Sequence, residues 1–138
     1  MLYLCKKWTS ECVRVLKSNS CFYVWGTTKT DTFLRYKLEI LNSFDDLYYQ
    51  NWIIWSYDWG GRTKKTFPRK HEDLLMYSKG KEFLFNDDDV RIPHVMKKSV
   101  RKGVELNIRG KIPTDVWCKN NHTTAKEYCN WHPTQKPL

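Results

Sequence analysis

No run of apolar residues in this chain is long enough to span a bilayer. The first hydrophobic residues, Met1-Leu2-Tyr3-Leu4-Cys5, are interrupted at once by Lys6-Lys7, too soon for the h-region of a secretory leader. These two absences argue against a membrane or secreted protein and predict a cytoplasmic one. A disulfide framework is missing as well. The five cysteines, Cys5, Cys12, Cys21, Cys118 and Cys129, are odd in number and irregularly spaced, which predicts reduced thiols. There is no internal repeat and no low-complexity tract, so a solenoid or a compositionally biased linker is excluded.

What the chain does contain is positive charge and aromatic rings. Its 138 residues are one domain's length, and 15% of them are aromatic, far too many for a disordered segment. Lysine and arginine outnumber the acids by 24 to 15, giving a formal net charge of +9 that is unevenly placed. Arg62, Lys64, Lys65, Arg69 and Lys70 follow one another without an acid among them, and Lys97, Lys98, Arg101, Lys102, Arg109 and Lys111 are opposed only by Glu105. A clustered positive field attracts phosphate backbones or acidic membranes, while the plainer alternative is a solvated lysine-rich face. The aromatic content favours nucleic acid, since bases offer flat faces for stacking.

Periodicity divides the chain into elements. Leu4, Trp8, Cys12, Val15 and Leu16 recur at helical spacing, predicting an amphipathic helix over 3–18 with these residues inward. Cys21-Phe22-Tyr23-Val24-Trp25, closed by Gly26, has the pattern of a strand buried on both faces in a mostly parallel sheet. A polar stretch from Thr27 to Asp31 precedes a second helix through Phe33, Leu34, Leu38 and Leu41. Tyr48 to Tyr57 and His71 to Tyr77 read as further strands, separated by a break at Trp59-Gly60-Gly61-Arg62. From Asn86 to Asn130 charge, proline and isolated apolar residues predict an insertion with little core of its own. Helix alternating with strand makes the fold class α/β.

Four pieces of this sequence, in order, resemble one family: Trp8-Thr9-Ser10-Glu11-Cys12-Val13-Arg14-Val15-Leu16-Lys17, the strand after it, Phe67-Pro68-Arg69-Lys70-His71-Glu72, and His132-Pro133-Thr134-Gln135-Lys136-Pro137. They are similar to the β-class DNA amino-methyltransferases, and the resemblance runs over nearly the whole chain. It implies part of a Rossmann-like, S-adenosylmethionine-dependent methyltransferase sheet with a basic target-recognition insertion. Residues 1–85 would form the partial core, 86–130 the insertion and 131–138 the start of a cofactor-side segment. The implied activity is site-specific transfer of a methyl group to the exocyclic amine of adenine, or less often cytosine, in double-stranded DNA, as in restriction-modification. The family's Pro-Pro-Tyr/Phe tetrad, which holds the target amine, and its Phe-x-Gly-x-Gly cofactor loop have no counterpart, since the chain contains neither a Pro-Pro pair nor Gly-x-Gly. The expectation is therefore a truncated or split enzyme with no catalytic residue of its own, inactive alone, its missing motifs supplied in cis or by a second polypeptide.

For the sites, the resemblance places His132, Thr134, Gln135 and Lys136 along the methionine end of S-adenosylmethionine. The alternative is a connector shaped by Pro133 and Pro137. It places Arg69, His71 and Glu72 near the flipped base and the duplex backbone, where His71-Glu72 could equally be a structural pair at a strand end. Arg62, Lys64, Lys65, Arg69 and Lys70 are expected to meet phosphates, and Lys97, Lys98, Arg101, Lys102 and Arg109 to meet DNA from the insertion. One rival reading is a zinc set of Cys118, His122, Cys129 and His132, and a further one is a non-enzymatic nucleic-acid-binding module made from the same basic and aromatic residues, with or without that zinc. The central gap of the zinc set is shorter than usual finger spacing, and the expectation is that no metal is bound.

Overall fold

The computed structural model describes residues 2–58, 61–95, 103 and 105–118. Helix α1 (Leu2–Val15) is followed by strand β1 (Cys21–Gly26) and a short helix α2 (Thr32–Arg35). The helical path continues through a wide π turn (Tyr36–Ile40) and a tight 3-10 turn (Leu41–Ser43). Strands β2 (Leu47–Ser56), β3 (His71–Lys79) and β4 (Val116–Cys118) complete the described elements. They form one four-stranded sheet in the order β1-β3-β2-β4.

The sheet is mixed rather than mostly parallel. β3 lies antiparallel between β1 and β2, which therefore run parallel to each other without touching, and β4 pairs parallel to β2. This arrangement corrects the expectation that β1 is buried on both faces. Among the described residues β1 pairs along one side only, and Tyr23 and Trp25 remain 45% and 36% exposed. The strand with that property is β3, flanked on both sides and buried continuously from Asp73 to Ser78.

The two faces carry different covers. On one, α1 and the helical stretch 32–43 pack on Val24, Leu75 and Tyr77 through Val13, Phe33, Tyr36, Ile40 and Leu41, the main core. On the other, Ile53, Leu74 and Met76 meet Phe83, just after β3, and Trp117 from the insertion. A bulge at Gln50 adjusts β2 to this division. Tyr49 pairs with Tyr77 and Asn51 with Met76, leaving one extra residue between them. Strict alternation would send Tyr49 and Trp52 to opposite faces; the extra residue lets both face the helices, where Tyr49 meets Tyr77 edge-on and Trp52 meets Phe33.

The inward stripe of α1 is rotated from the expected one. Leu2, Cys5, Thr9 and Val13 face the core, whereas Leu4 and Val15 are each 67% exposed. The reason is Thr9, which is fully buried with its hydroxyl 2.7 Å from that of Tyr36. A satisfied polar residue stands at the centre of the stripe, so counting apolar residues alone selects the neighbouring face. Trp8 stacks on Tyr36 at 5.8 Å from the margin. The helix ends where Lys79 Nζ donates to the carbonyls of Val13 (2.6 Å) and Leu16 (3.0 Å), which binds α1 to β3.

Two glycines are required by geometry. Gly26 ends β1 beneath Phe33, whose ring occupies the space a Cβ would need. Gly80 turns the chain after β3 at φ +94°, with its missing Cβ 2.7 Å from the Ser18 carbonyl oxygen.

Candidate nucleic-acid interface

The polarity of the strands gathers several loops at one end of the sheet. β1 ends at Gly26 opposite Asp73, β2 ends at Ser56 opposite His71, and Cys118 at the end of β4 lies opposite Ser56. The carboxyl ends of the three mutually parallel strands thus share an edge with the start of β3, the place where open α/β sheets bind their ligands. The segment 57–70 connects β2 to β3 there, and it carries Arg62, Lys64, Lys65, Arg69 and Lys70.

That loop is tied at its base and near its tip. The Tyr57 N–H donates to the Lys70 carbonyl at 2.9 Å, and Lys70 Nζ donates to the Asp58 carbonyl at 3.1 Å. The Thr63 hydroxyl donates to the Thr66 carbonyl, and the Thr66 hydroxyl lies 3.3 Å from that of Thr63. Residues 61–69 are all exposed, and among the described residues Arg62, Lys64, Lys65 and Arg69 form no ion pair. Four cations without a salt bridge among the described residues, on one exposed loop, make a local positive field. Beneath them Trp55 is buried against Tyr57 (5.3 Å) and, edge-on, Trp25 (5.8 Å). Burial raises the Tyr57 pKa, with Glu72 adding to the rise and Arg69 opposing it, so the phenol sits in the field of both.

The same end is held together by a residue that the motif reading passed over. Asp73 is 2% exposed, and its carboxylate accepts from Trp52 Nε1 at 2.8 Å and from the Thr28 N–H and hydroxyl at 3.2 Å each. It joins the loop after β1 to β2 across β3. An acid in a strand that continues Leu-Leu-Met-Tyr is itself a signal, because aspartate is depleted from strands unless something binds it.

The other expected site residues fall differently. His71 and Glu72 open β3 opposite Ser56 and Trp55, immediately after the basic loop. Arg109 is not with them: its guanidinium pairs with Asp88, and Arg91 pairs with Asp87, with Asp88 at 3.0 Å, and donates to the Gly110 carbonyl at 3.1 Å. With the Ile92–Lys111 bridge, this clasp gives the insertion a structural tie, and Arg109 serves it. Lys97, Lys98, Arg101 and Lys102 lie outside the described residues, as do His132, Thr134, Gln135 and Lys136. Of the alternative zinc set only Cys118 is described; it is exposed, with Ser56 Oγ 3.2 Å from its sulfur. No three potential metal ligands cluster among the described residues. No described helix is long and apolar enough to cross a membrane.

Between the sheet and the insertion runs a groove of about 540 Å³, floored by Tyr23, Trp25, Ile53, Leu74 and Met76. No lysine or arginine lines it, so it is not where phosphates would settle.

Comparison with known proteins decides the lineage. A family model described as DNA methylase matches residues 1–138. The chain belongs to the DNA methylase family. Its relatives include the type II methyltransferase M.HpaI of Haemophilus parainfluenzae, 38% identical over 137 residues, which covers 95% of this chain and 40% of that protein. The type II methyltransferase M.BglII of Bacillus subtilis is 35% identical over 146 residues, covering 95% and 41%. The DNA adenine methyltransferase YhdJ of Escherichia coli (strain K12) is 30% identical over 138 residues, covering 93% and 45%. This DNA methylase chain therefore spans about two fifths of the length of the curated relatives it matches.

Proposed function

We propose that this chain is the DNA-facing part of an S-adenosylmethionine-dependent methyltransferase that modifies the exocyclic amine of adenine, with cytosine as the alternative target, in the manner of restriction-modification enzymes. The observation that carries the reading is the exposed basic loop at the carboxyl ends of β1, β2 and β4, on a chain of the DNA methylase family. Phosphate contacts fix register and orientation on a duplex, and the exposure of Arg62, Lys64, Lys65 and Arg69 supports that role for them. Lys70 supports the loop through Asp58 while keeping its charge at the same edge. His71 follows directly and would face whatever that loop binds. In the insertion, Lys97, Lys98, Arg101, Lys102 and Arg109 are assigned to DNA contact, Arg109 from its exposed ion pair with Asp88.

Within this proposal the cofactor supplies the methyl group, and His132, Thr134, Gln135 and Lys136 hold its methionine end. An exocyclic amine is a poor nucleophile. Transfer needs a flipped base held by acceptor groups and a methyl group positioned in line with it. The sequence contains neither a Pro-Pro tetrad nor a Gly-x-Gly loop for those tasks. Each such loss of positioning is worth on the order of several kcal/mol of barrier, so turnover requires both parts to be supplied.

The test combines duplex binding with transfer of labelled methyl groups. The 138-residue chain should bind DNA in a salt-sensitive manner and transfer nothing. Addition of a polypeptide carrying the tetrad and the glycine loop should restore incorporation, recovered as N6-methyladenine on nucleoside analysis. Incorporation by the chain alone, or no duplex binding at low salt, would overturn the reading.

A further inference from the structure

The basic loop carries one side chain that phosphate binding leaves unexplained. Phe67 is 99% exposed, yet it sits in an ordered segment between Lys64-Lys65 and Arg69. Scattered surface apolar residues are ordinary, but a phenylalanine ring wholly in water, flanked in sequence by Lys64, Lys65 and Arg69, is not. Its backbone is constrained locally. Pro68 confines residue 67 to extended backbone angles, and the Thr63–Thr66 hydrogen bonds close the turn just before it. Restricting this backbone in advance removes part of the entropy that binding would otherwise cost.

We infer that Phe67 is a wedge for duplex DNA, a positioning residue that enters the base stack and fills the gap left when the target nucleotide is extruded. This deepens the proposed DNA reading and rests on it. Proteins that unstack a duplex insert apolar side chains between base steps while flanking cations hold the backbone on either side. Here the apolar side chain is Phe67 and the cations are Lys64, Lys65 and Arg69, all within a six-residue stretch. Extrusion of a base costs unstacking and unpairing, and a ring that takes its place lowers that cost without touching the reacting amine. The loop springs from the sheet end where β1, β2 and β4 terminate, so the wedge and the proposed target site share one edge of the fold.

The test needs no turnover. Two duplexes of one sequence, one intact and one with a single abasic site, are titrated with the 138-residue chain and with Phe67→Ala, Phe67→Leu and Phe67→Trp. An abasic site offers the gap already made, so the wild type should prefer it by about tenfold, the order of one base–aromatic stack. Phe67→Ala should lose that preference while keeping its salt dependence and melting temperature, because the ring packs on nothing in the described structure. Phe67→Trp should restore the preference and Phe67→Leu should keep part of it. A Phe67→Ala variant that still prefers the abasic duplex, or a wild type with no preference, overturns the wedge and leaves the DNA reading standing. Failure of every variant to bind either duplex overturns both.

Discussion

Replacing Asp73 should destabilise the chain more than any other single change at the loop end of the sheet. In Asp73→Ala, Trp52 Nε1–H, the Thr28 N–H and the Thr28 hydroxyl lose their common acceptor. Hydrogen bonds to a carboxylate contribute about 1.5–3 kcal/mol each when made between buried partners. Thr28 and Trp52 are both half-buried, so the freed donors turn partly to water and the three bonds count for less than their sum. The expected loss is about 3 kcal/mol, a large share of the 5–15 kcal/mol that ordinarily separates folded from unfolded states. Asp73→Asn keeps one carbonyl-type acceptor and turns an amide toward the other donors, so about half that loss is expected. Urea unfolding followed by far-ultraviolet circular dichroism gives both values. A double-mutant cycle with Trp52→Phe should add a coupling of about 1–2 kcal/mol. An Asp73→Ala chain within about 1 kcal/mol of wild type, or no coupling to Trp52, would refute the role assigned to this carboxylate.

Neutralising Arg62, Lys64, Lys65 and Arg69 together should flatten the logarithmic salt dependence of duplex affinity by about 3 to 4, at roughly 0.9 per phosphate contact, and a fluorescence-anisotropy titration reads that slope. Lys79→Met leaves the Val13 and Leu16 carbonyls uncapped and should cost about 1–2 kcal/mol in thermal unfolding, with lost helical signal. Burial pushes the phenols of Tyr36 and Tyr77 up to about 12 each, the first despite its bond to Thr9. Raised folded-state values mean the stability is fully present below pH 10, where unfolded tyrosine titrates, and is lost as the pH climbs from about 10 to about 12. Alkaline unfolding with late tyrosinate absorbance should lie in that window, and Tyr77→Phe should make it shallower.

Much of the architecture is legible in the residues. The long aromatic and β-branched run that becomes β2, the His71 strand and the helical stretch after Asp31 all stand out by composition, and each forms within a residue or two of its expected bounds. The sheet's polarity is not legible, because a continuous apolar run such as Cys21 to Trp25 looks the same at an edge as in a parallel centre; only pairing decides, and pairing is long-range. The buried face of α1 is hard to read for a related reason, since a buried Thr9 that finds Tyr36 at a separation of 27 positions carries no apolar signature. Basic loop residues were readable as a cluster because charge without acid is a local property. The ion pair of Arg109 with Asp88 is not legible in the same way, as it spans 21 residues.

β1 has one paired side among the described residues, and its sequence, Cys-Phe-Tyr-Val-Trp-Gly, contains neither lysine nor proline to discourage a newcomer. Among the described residues the other side of β1 has no partner, and an edge of this composition, left uncovered, is a template for strand addition. Its consequence is practical: two copies meeting edge to edge would run one sheet into the next and turn concentration into aggregation. Light scattering that rises with protein concentration, and falls when Tyr23 is replaced by lysine, is the behaviour this edge dictates.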